Sequence, residues 1–594
     1  MEHNIETDVL IVGAGPAGAA SAVFLGGHGV RTLTISRHRG TADTPRAHIT
    51  NQRTMEALRD AGLEAACLDV ASSADKIAHT FWLRSMAGEE IARSWAWGND
   101  PERVGDYLAA SPCGMTDFPQ TRLEPILIAE ATRLGGQVRF GWELDRFTQD
   151  ADGVTAYVAD RLTGRKVTIR ARYMIGADGA RSRVVEQLGL PLVGQEGLGA
   201  VFNVFCEVDL SEHVTHRQAS LFSVIQPGSS YWAPVAVWRM VRPWDQWLVG
   251  LIVPPAAGKP EPTQADFEAR VRESAGIPDL PVKILSTSMW TINDIYAERY
   301  VAGRVFCMGD AVHRHPPTNG LGSNTCVQDA FNLAWKLALV IKGQAGPALL
   351  HSFEAERQPI GKQIVARANK SMGQNGKLWD MLGGGIHTEM PPEAHAAVFD
   401  TPEGRAQLRA EIDVMRYEYH AQGVELSRDY VSGAVVHDGT EAPPPARDPE
   451  LYYEPSTRPG APLPHAWLGR RSPSPLVSTL DLAGKGGFTL FIGPAGEGWR
   501  DAAATAGEAL GLDVKVVSIG PFLDREDPYG TWAKVCGVEE DGAVLVRPDL
   551  IVGWRSAGRP RDPAAGLTGA LRHILARPAT AEVAAEPTLA SAGQ

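Results

Sequence analysis

The chain opens on an apolar run, Val9 to Val12, followed by glycines at 13, 15 and 18, an alanine-rich stretch, and a second apolar run over RTLTIS ending at Ser36. A short apolar run, a glycine turn and a helical stretch predict a strand, turn, helix, strand unit. Strands and helices then alternate to about residue 190, where a strand-rich stretch with many tryptophans begins, including a hairpin over 237 to 253 that turns through Pro243 to Gln246. Helical spacing returns after Gly320: Ser323 is the expected N-cap, apolar residues recur at Val327, Ala330, Phe331, Ala334, Leu337 and Ala338, and Gly343 is the expected stop. Residues 437 to 475 are dense in proline, which breaks helices and sheet ladders and marks a boundary. Beyond it FTLFIG, WRDAAATAGEALG, VKVVSIG and AVLVRPDLIVGW read as a compact α/β unit, and from about Arg577 the chain is a low-complexity tail expected to be disordered.

At roughly 100 to 200 residues per domain, 594 residues make about three or four folding units. Apolar residues are 44% and charged residues 21% of the chain, enough to build cores throughout. With 57 basic and 70 acidic residues the net charge is −13, the wrong sign for tracking a phosphate backbone, so no nucleic-acid partner is expected. The six cysteines show no C-x-x-C and no metal-ligand spacing, which excludes a disulfide framework or structural zinc and fits a reducing cytoplasm. The apolar stretch Val9 to Gly27 follows Glu2, Glu6 and Asp8 without Lys or Arg, so it is not read as a signal peptide. No run long enough to span a membrane is found elsewhere.

Gly13-x-Gly15-x-x-Gly18, with Pro16 and Ala17 between, follows a strand and opens a helix. The first glycine allows the tight turn, the second lets a pyrophosphate approach backbone N–H groups, and the third packs helix on strand. A purely structural turn is the competing reading. The acidic residue that usually ends the second strand and binds a ribose hydroxyl is here Ser36, followed by Arg37; a serine hydroxyl can still bond the ribose.

Three further motifs make the chain resemble the FAD-dependent class A aromatic hydroxylases. Asp178-Gly179, with Arg181 and Ser182, is similar to the family's DG motif, and Gly309-Asp310 to its GD motif. Gln120 in FPQTRLEPIL matches a glutamine near the flavin's ribityl and phosphate region. Longer segments, among them residues 44 to 65, IQPGS (225 to 229), 237 to 244, 309 to 324 and 456 to 467, resemble the bacterial chlorophenol hydroxylases within that family. The resemblance implies an α/β and α+β chain. A Rossmann-like FAD-binding domain of the para-hydroxybenzoate hydroxylase type is expected over 1–80, 110–190 and 285–385, and a β-rich substrate domain over 81–109 and 191–284. A helical or linker segment (386–440), a thioredoxin-like C-terminal domain without its thiols (441–576) and the tail (577–594) complete it. A homodimer is a further possibility it raises.

It also implies the chemistry: NADH or NADPH reduces FAD, O2 adds to give a C4a-hydroperoxide, and one oxygen atom passes to an electron-rich ring, here a substituted phenol at its ortho position. Gly320, Gly322, Ser323 and Asn324 open the long helix, whose free N–H groups would stabilise negative charge on reduced flavin, and Pro317 after Pro316 would stiffen the loop facing the ring. His313 and His315 could be read as a metal pair, but no third and fourth ligand accompany them, so no metal is expected. Phenol activation calls for a base. The family tends to place an acidic residue in the segment matching Arg46 to Arg53; this chain has His48 and no carboxylate there, so His48 is the candidate base. A histidine that only bonds flavin or backbone is the alternative. Arg46 is expected near the cofactor, with a solvated arginine as the alternative. Trp232, Trp238 and Trp290, with Trp244 and Trp247, are candidate pocket walls, although each could equally be core. Rivals are a hydroxylase for a larger aromatic such as a polyketide, and a non-catalytic flavoprotein scaffold. The W-x-W-x-I-P of flavin halogenases is absent, since Trp95-Ala96-Trp97 is followed by Gly98-Asn99.

Overall fold

A computed structural model describes residues 3–227, 232–388 and 390–577; the expected tail from 578 and part of IQPGS lie outside the described residues. The chain divides into two compact units. One holds residues up to Phe331, Arg357–Ser427 and Pro445–Glu454, and the other Asn332–Glu356, Arg428–Pro444 and the chain from Pro455 onward.

In the first unit, His3–Val12 sits at the centre of a sheet, parallel to Lys166–Gly176 on one side and to Thr32–Ser36 on the other. Gln137–Phe140 and Val305–Cys307 extend it, again in parallel. Val9, Leu10 and Ile11 are fully buried, as strands covered on both faces require. The helix Pro16–Gly27 returns the chain from the first strand to the second.

A second, mainly antiparallel sheet of eight strands runs from His313–Arg314 through Lys283–Ala297, Leu192–Glu207, Gln246–Val253, Val235–Arg242, Leu221–Ile225 and His79–Leu83 to Glu90–Trp95. The hairpin expected at 237 to 253 lies here, turning between Arg242 and Gln246. Side chains alternate between its two faces. Phe81, Leu83, Ala236, Trp238 and Met240 pack on one side with Phe267 and Val271 of the helix Gln264–Ala275. Trp82, Val201, Val235, Ile252 and Ile292 pack on the other with Ile49, Trp97, Tyr107, Leu378, Trp379 and Tyr419.

Two expectations are corrected and one left open is decided. The strand Lys283–Ala297 pairs with Leu192–Glu207, so the chain re-enters the first sheet at Val301 rather than at 285; its alternating polar and apolar residues are those of an antiparallel strand. The segment read as helical or linker forms the helices Pro392–Asp400, Pro402–Val414, Arg416–Tyr419 and Gln422–Leu426, the first of its two alternatives. Val398, Leu408, Met415 and Tyr419 bury themselves in the second apolar cluster, so tertiary packing consumes what composition left unassigned. The long helix runs Leu321–Ile341 and starts two residues before Ser323, which therefore sits in its first turn and is not its cap.

The second unit is built on Val514–Ser518, Phe488–Ile492, Ala543–Val546 and Val552–Ser556, in that order, the first pair parallel and the others antiparallel. Helices Gly498–Leu510 and Pro563–Ile574 accompany the sheet. Fully buried inside this unit, Glu356 accepts hydrogen bonds from Arg547 (2.7 and 2.9 Å) and Lys336 (2.7 Å), and Asp549 accepts from Arg547 at 2.6 Å. Burial is affordable only because each charge meets its opposite. No helix of the described residues is long and apolar enough to cross a membrane.

Candidate active site

The dinucleotide fingerprint folds as its spacing requires. Gly13 has φ +110°, and a Cβ there would lie 2.0 Å from the carbonyl oxygen of Ala177, so only glycine lets the two strand ends close up. At Gly15 the nearest atom to an added Cβ is Glu124 Oε1 at 3.8 Å, which leaves room in front of the helix. No side chain caps the helix Pro16–Gly27, so its first N–H groups face that space. Gly309 packs against Ala17 and Cys326, where a Cβ would meet Cys326 Sγ at 2.9 Å, and so brings Asp310, exposed, to the same cleft. This open cradle fits an anionic dinucleotide.

Second-layer contacts fix the cradle. Asp329 Oδ2 accepts from the Gly309 N–H at 3.2 Å and from His313 Nε2 at 3.0 Å, while its Oδ1 accepts from Arg357 at 2.7 Å. Asp178 uses its carboxylate on Ser182 Oγ (2.5 Å) and the N–H groups of Arg183 and Val184, capping the helix Arg183–Leu188 beside Gly179. Ser36 Oγ accepts from His38 N–H at 3.3 Å and keeps its own proton to donate, and Arg37 adjoins it. Gln120 donates to Glu124, whose other oxygen accepts from Ala42 N–H at 2.6 Å; burial pushes the Glu124 carboxyl up. Arg46 is exposed, and its carbonyl accepts from Gln120 N–H at 2.8 Å. His315 turns Nδ1 to the carbonyl of Pro316 at 2.7 Å, and among the described residues no cluster of potential metal ligands forms.

At the other end of the cleft, Pro317 is exposed and Gly320 lies against Ile49. Gly322 sits beside His315 and Ser323 is buried in the helix's first turn. Asn324 is spent on structure: its Oδ1 accepts from Asn51 N–H (2.9 Å) and its Nδ2 donates to the Ile49 carbonyl (2.8 Å), tying the helix start to the strand after His48.

That strand supplies what the sequence left missing. Ile49–Thr50 pairs antiparallel with Thr116–Asp117, with Ile49 opposite Asp117, and Phe118 N–H donates to the His48 carbonyl at 2.9 Å. The ladder sets Asp117 Oδ1 3.4 Å from His48 Nδ1. Across from the second sheet, Arg239 donates to Asp117 Oδ2 at 2.5 Å and to Ser220 Oγ at 3.0 Å. All three side chains are buried. Burial alone would raise Asp117, but the Arg239 charge and the His48 contact outweigh it and hold the carboxyl below its ordinary value. Burial pushes His48 down, against the pull of Asp117. The group is therefore a neutral imidazole, a carboxylate and a guanidinium. Both ring nitrogens are buried and neither makes a hydrogen bond among the described residues, but Nδ1 faces the carboxylate at 3.4 Å; since a carboxylate can only accept, the imidazole proton belongs on Nδ1 and leaves a lone pair on Nε2. Asp117 stands three residues before the Gln120 already singled out, and Arg239 next to Trp238; neither was read as a site residue from sequence.

The tryptophans sort by strand parity. Arg239 and Trp238 are neighbours on one strand, so they point to opposite faces. Trp238 is fully buried beneath the helix Gln264–Ala275, its Nε1 donating to Ser274 Oγ at 3.1 Å, and Trp232 packs in the same cluster. Trp244 and Trp247 join that cluster too. These four are core and are withdrawn as pocket walls. Trp290 lies on the Arg239 side and donates to Asn203 Oδ1 at 3.2 Å. There it joins Trp82, Trp97 and Trp379, whose buried indole N–H groups have no acceptor among the described residues.

Beside these groups, Asn319 Nδ2 donates to the carbonyls of Tyr417 (2.6 Å) and Glu418 (3.2 Å), and the Glu418 carboxyl accepts from Asn375. Burial pushes Glu418 up to about 7. Between the unfolded carboxyl range and that value the folded chain keeps a proton the unfolded chain releases, so this residue's contribution to stability falls as pH rises through 7. Glu418→Gln is expected to raise stability above pH 7 by on the order of 2–3 kcal/mol and to change little below pH 4.5. Unfolding midpoints of the two proteins at pH 5 and pH 8.5 check this; equal midpoints at both would refute it.

Comparison with known proteins agrees with this geometry. The model of a family described as FAD binding domain matches residues 6–368, and one described as aromatic-ring hydroxylase, C-terminal, matches residues 456–578. The chain is 49% identical over 579 residues to 2,4-dichlorophenol 6-monooxygenase of Delftia acidovorans, covering 96% of this chain and 98% of that one. It is 45% identical over 577 residues to phenol 2-monooxygenase of Pseudomonas sp. (strain EST1001), covering 95% and 92%. The crystal structure of the flavin-dependent monooxygenase PieE in complex with FAD and substrate is similar with a TM-score of 0.91 at 45% identity, covering 97% of this chain and 100% of that one.

Proposed function

The chain belongs to the FAD-dependent aromatic-ring hydroxylases, and from that membership we propose that it hydroxylates a substituted phenol ortho to its hydroxyl, with His48 as the base that takes the phenolic proton. Bound FAD supplies reduction by NADH or NADPH and the activation of O2 for transfer of one oxygen atom. The fingerprint helix, Ser36, Gln120 and Asp310 would hold it, with Gly320 to Asn324 at its ring end.

The observation that carries the reading is the buried His48 Nε2, without a hydrogen-bond partner among the described residues, on an imidazole whose Nδ1 lies 3.4 Å from Asp117 Oδ1. A phenol O–H placed there donates to Nε2. A free phenol ionises near pH 10, like tyrosine, so at neutral pH the ring carries its proton until carbon–oxygen bond formation makes that proton acidic. His48 accepts it at that moment, Asp117 stabilises the imidazolium, and Arg239 keeps Asp117 ionised and in place. Removing the proton pushes electron density onto the ortho and para carbons. The apolar cluster around Ile49, Val201, Ile292 and Tyr419 suits a flat ring, and the unpaired indole N–H groups suit electronegative ring substituents.

In the second unit, the strand order with one parallel pair, and the helices Gly498–Leu510 before and Pro563–Ile574 after the antiparallel hairpin in the chain and packed on each other, support the thioredoxin-like reading. Without a C-x-x-C its expected part is packing.

The test is NAD(P)H consumption with oxygen uptake and product analysis across phenol, chlorophenols, hydroxybenzoates and a bulky polyphenol. Simple phenols are expected to stimulate oxidation and yield one catechol per NAD(P)H. Hydroxylation of the polyphenol alone would move the reading to a larger aromatic, and no stimulated oxidation by any of them would leave a non-catalytic scaffold.

A further inference from the structure

His48 is about 6% exposed and the Nε2 it offers is buried, so a substrate must cross protein to reach it. A surface cleft of about 520 Å³ in the same unit is lined by His79, Arg93, Trp95, Asp100, Arg416 and His420, among others. Its floor is the outer of two paired layers. Trp95 and His420 form the outer one, His420 Nε2 lying 3.0 Å from the Trp95 carbonyl. Two residues further along one segment and one back along the other, Trp97 N–H donates to the Tyr419 carbonyl at 3.1 Å, and the two rings meet edge to face at 5.2 Å. Tyr419 in turn feels the charge of Arg239, which holds Asp117. The cleft thus touches Trp95 and His420, whose chain neighbours Trp97 and Tyr419 are buried and paired, and Tyr419 is close enough to Arg239 to feel its charge.

Two features show that this is more than a surface irregularity. Because its Nε2 faces a carbonyl, His420 carries the proton there, and its Nδ1 is a lone-pair acceptor; the side chain is 2% exposed and Nδ1 has no partner among the described residues. Burial pushes His420 down to about 4, so the acceptor is present at neutral pH. In addition, Trp97 is held at φ 54°, a left-handed conformation costly for a bulky side chain, and is followed by Gly98 at φ 79°. Trp97 is held by its N–H on the Tyr419 carbonyl, by its own carbonyl accepting from Asn99 Nδ2 at 3.2 Å and by its buried ring, and the strained backbone at Trp97 and Gly98 marks where this layer would part.

Resting on the phenol-hydroxylase reading above, we infer that the cleft is an antechamber for the neutral phenol, which lays its ring on Trp95 and, as the Trp95 and His420 layer parts, gives its hydroxyl to the buried His420 Nδ1 before passing the Trp97 and Tyr419 pair. Trp95 is 39% exposed and offers a face for the ring. The cleft's charges, Arg93 and Arg416 against Asp100, Glu102 and Asp413, nearly balance and give an anionic aromatic no net attraction.

Glu102 and Ser94 line the cleft outside the active group. In Glu102→Trp holoenzyme, stopped-flow mixing with 2,4-dichlorophenol, read by the perturbed flavin absorbance, is expected to show association and dissociation both slowed at least tenfold, with the equilibrium constant and the KM for NAD(P)H unchanged. Ser94→Trp serves as an independent block should the first variant fail to bind flavin. His420→Phe is expected to raise the KM for phenol five- to tenfold while kcat and the catechol yield per NAD(P)H stay as in the wild type. Wild-type association rates in both blocked, flavin-loaded variants would overturn the inference. If wild-type enzyme neither binds nor hydroxylates any phenol, it is the functional reading that fails, and this inference falls with it.

Discussion

His48→Ala holoenzyme is expected to form catechol 10²- to 10⁴-fold more slowly than the wild type at neutral pH, the range general-base catalysis supplies. It should still bind flavin, because the groups that cradle the dinucleotide do not include the His48 side chain. The loss should be selective in a second way. What the mutant lacks is a proton acceptor, so a substrate that arrives already ionised needs it less. The deficit is therefore expected to shrink as pH approaches the phenol's own ionisation, and to be smaller for ring-chlorinated phenols, whose hydroxyls are more acidic, than for phenol. Rates of catechol formation for both substrates between pH 6.5 and 9.5 check this. A deficit independent of pH and of the substrate's acidity would mean that His48 only shapes the pocket. The wild type has its own lower limit: burial holds His48 below the usual imidazole value, so base function persists at that value and is lost only as pH falls further, to where the buried ring takes up its proton.

How far the sequence could be read depends on how locally each feature is encoded. The fingerprint at Gly13 to Gly18 and the turn at Gly309-Asp310 are dictated by residues within a few positions of one another, and both fold as read. The base pair was half legible. His48 stood out because no carboxylate shares its segment, yet the structure supplies one from 69 residues away through a ladder only two residues long, too short to show as a hydrophobic pattern. Arg239 was hidden by the opposite problem. It sits in a clear strand, but alternation says only that Trp238 and Arg239 face opposite ways, not which face meets the cofactor cleft. Choosing the tryptophan chose the wrong face. An arginine set between Trp238 and Met240 in the middle of an apolar stretch was the available signal, since such a charge needs a partner. The helices between Pro392 and Leu426 were legible only as one of two alternatives, helical or linker, because their apolar residues are sparse and find their purpose only in the cluster around Tyr419.

Asp117 is expected to show the largest stability effect, and its variants separate holding from catalysing. Asp117→Ala leaves the Arg239 guanidinium buried with Ser220 as its remaining hydrogen-bond partner in this group, and breaking a buried pair from one side costs about 3–5 kcal/mol. That cost should be greatest at neutral pH. The carboxyl's folded value lies below its unfolded one, so its stabilising contribution is present above the unfolded value and is lost as pH falls through the folded one; wild type and variant should converge in strong acid. Arg239→Met added to Asp117→Ala removes the stranded charge, and apolar replacement of a buried pair is often neutral, so the double variant should recover most of the lost stability. It should not recover hydroxylation. With neither carboxylate nor guanidinium, His48 has nothing to fix its tautomer or to stabilise its protonated form. Asp117→Asn keeps the shape and one acceptor oxygen for Arg239 but no charge, so it should lose less stability than Asp117→Ala while hydroxylating slowly. Denaturation midpoints and catechol yields for the four proteins decide the matter: a double variant as active as the wild type would show that the pair serves folding alone, and a single alanine variant as stable as the wild type would show that Arg239 finds another partner.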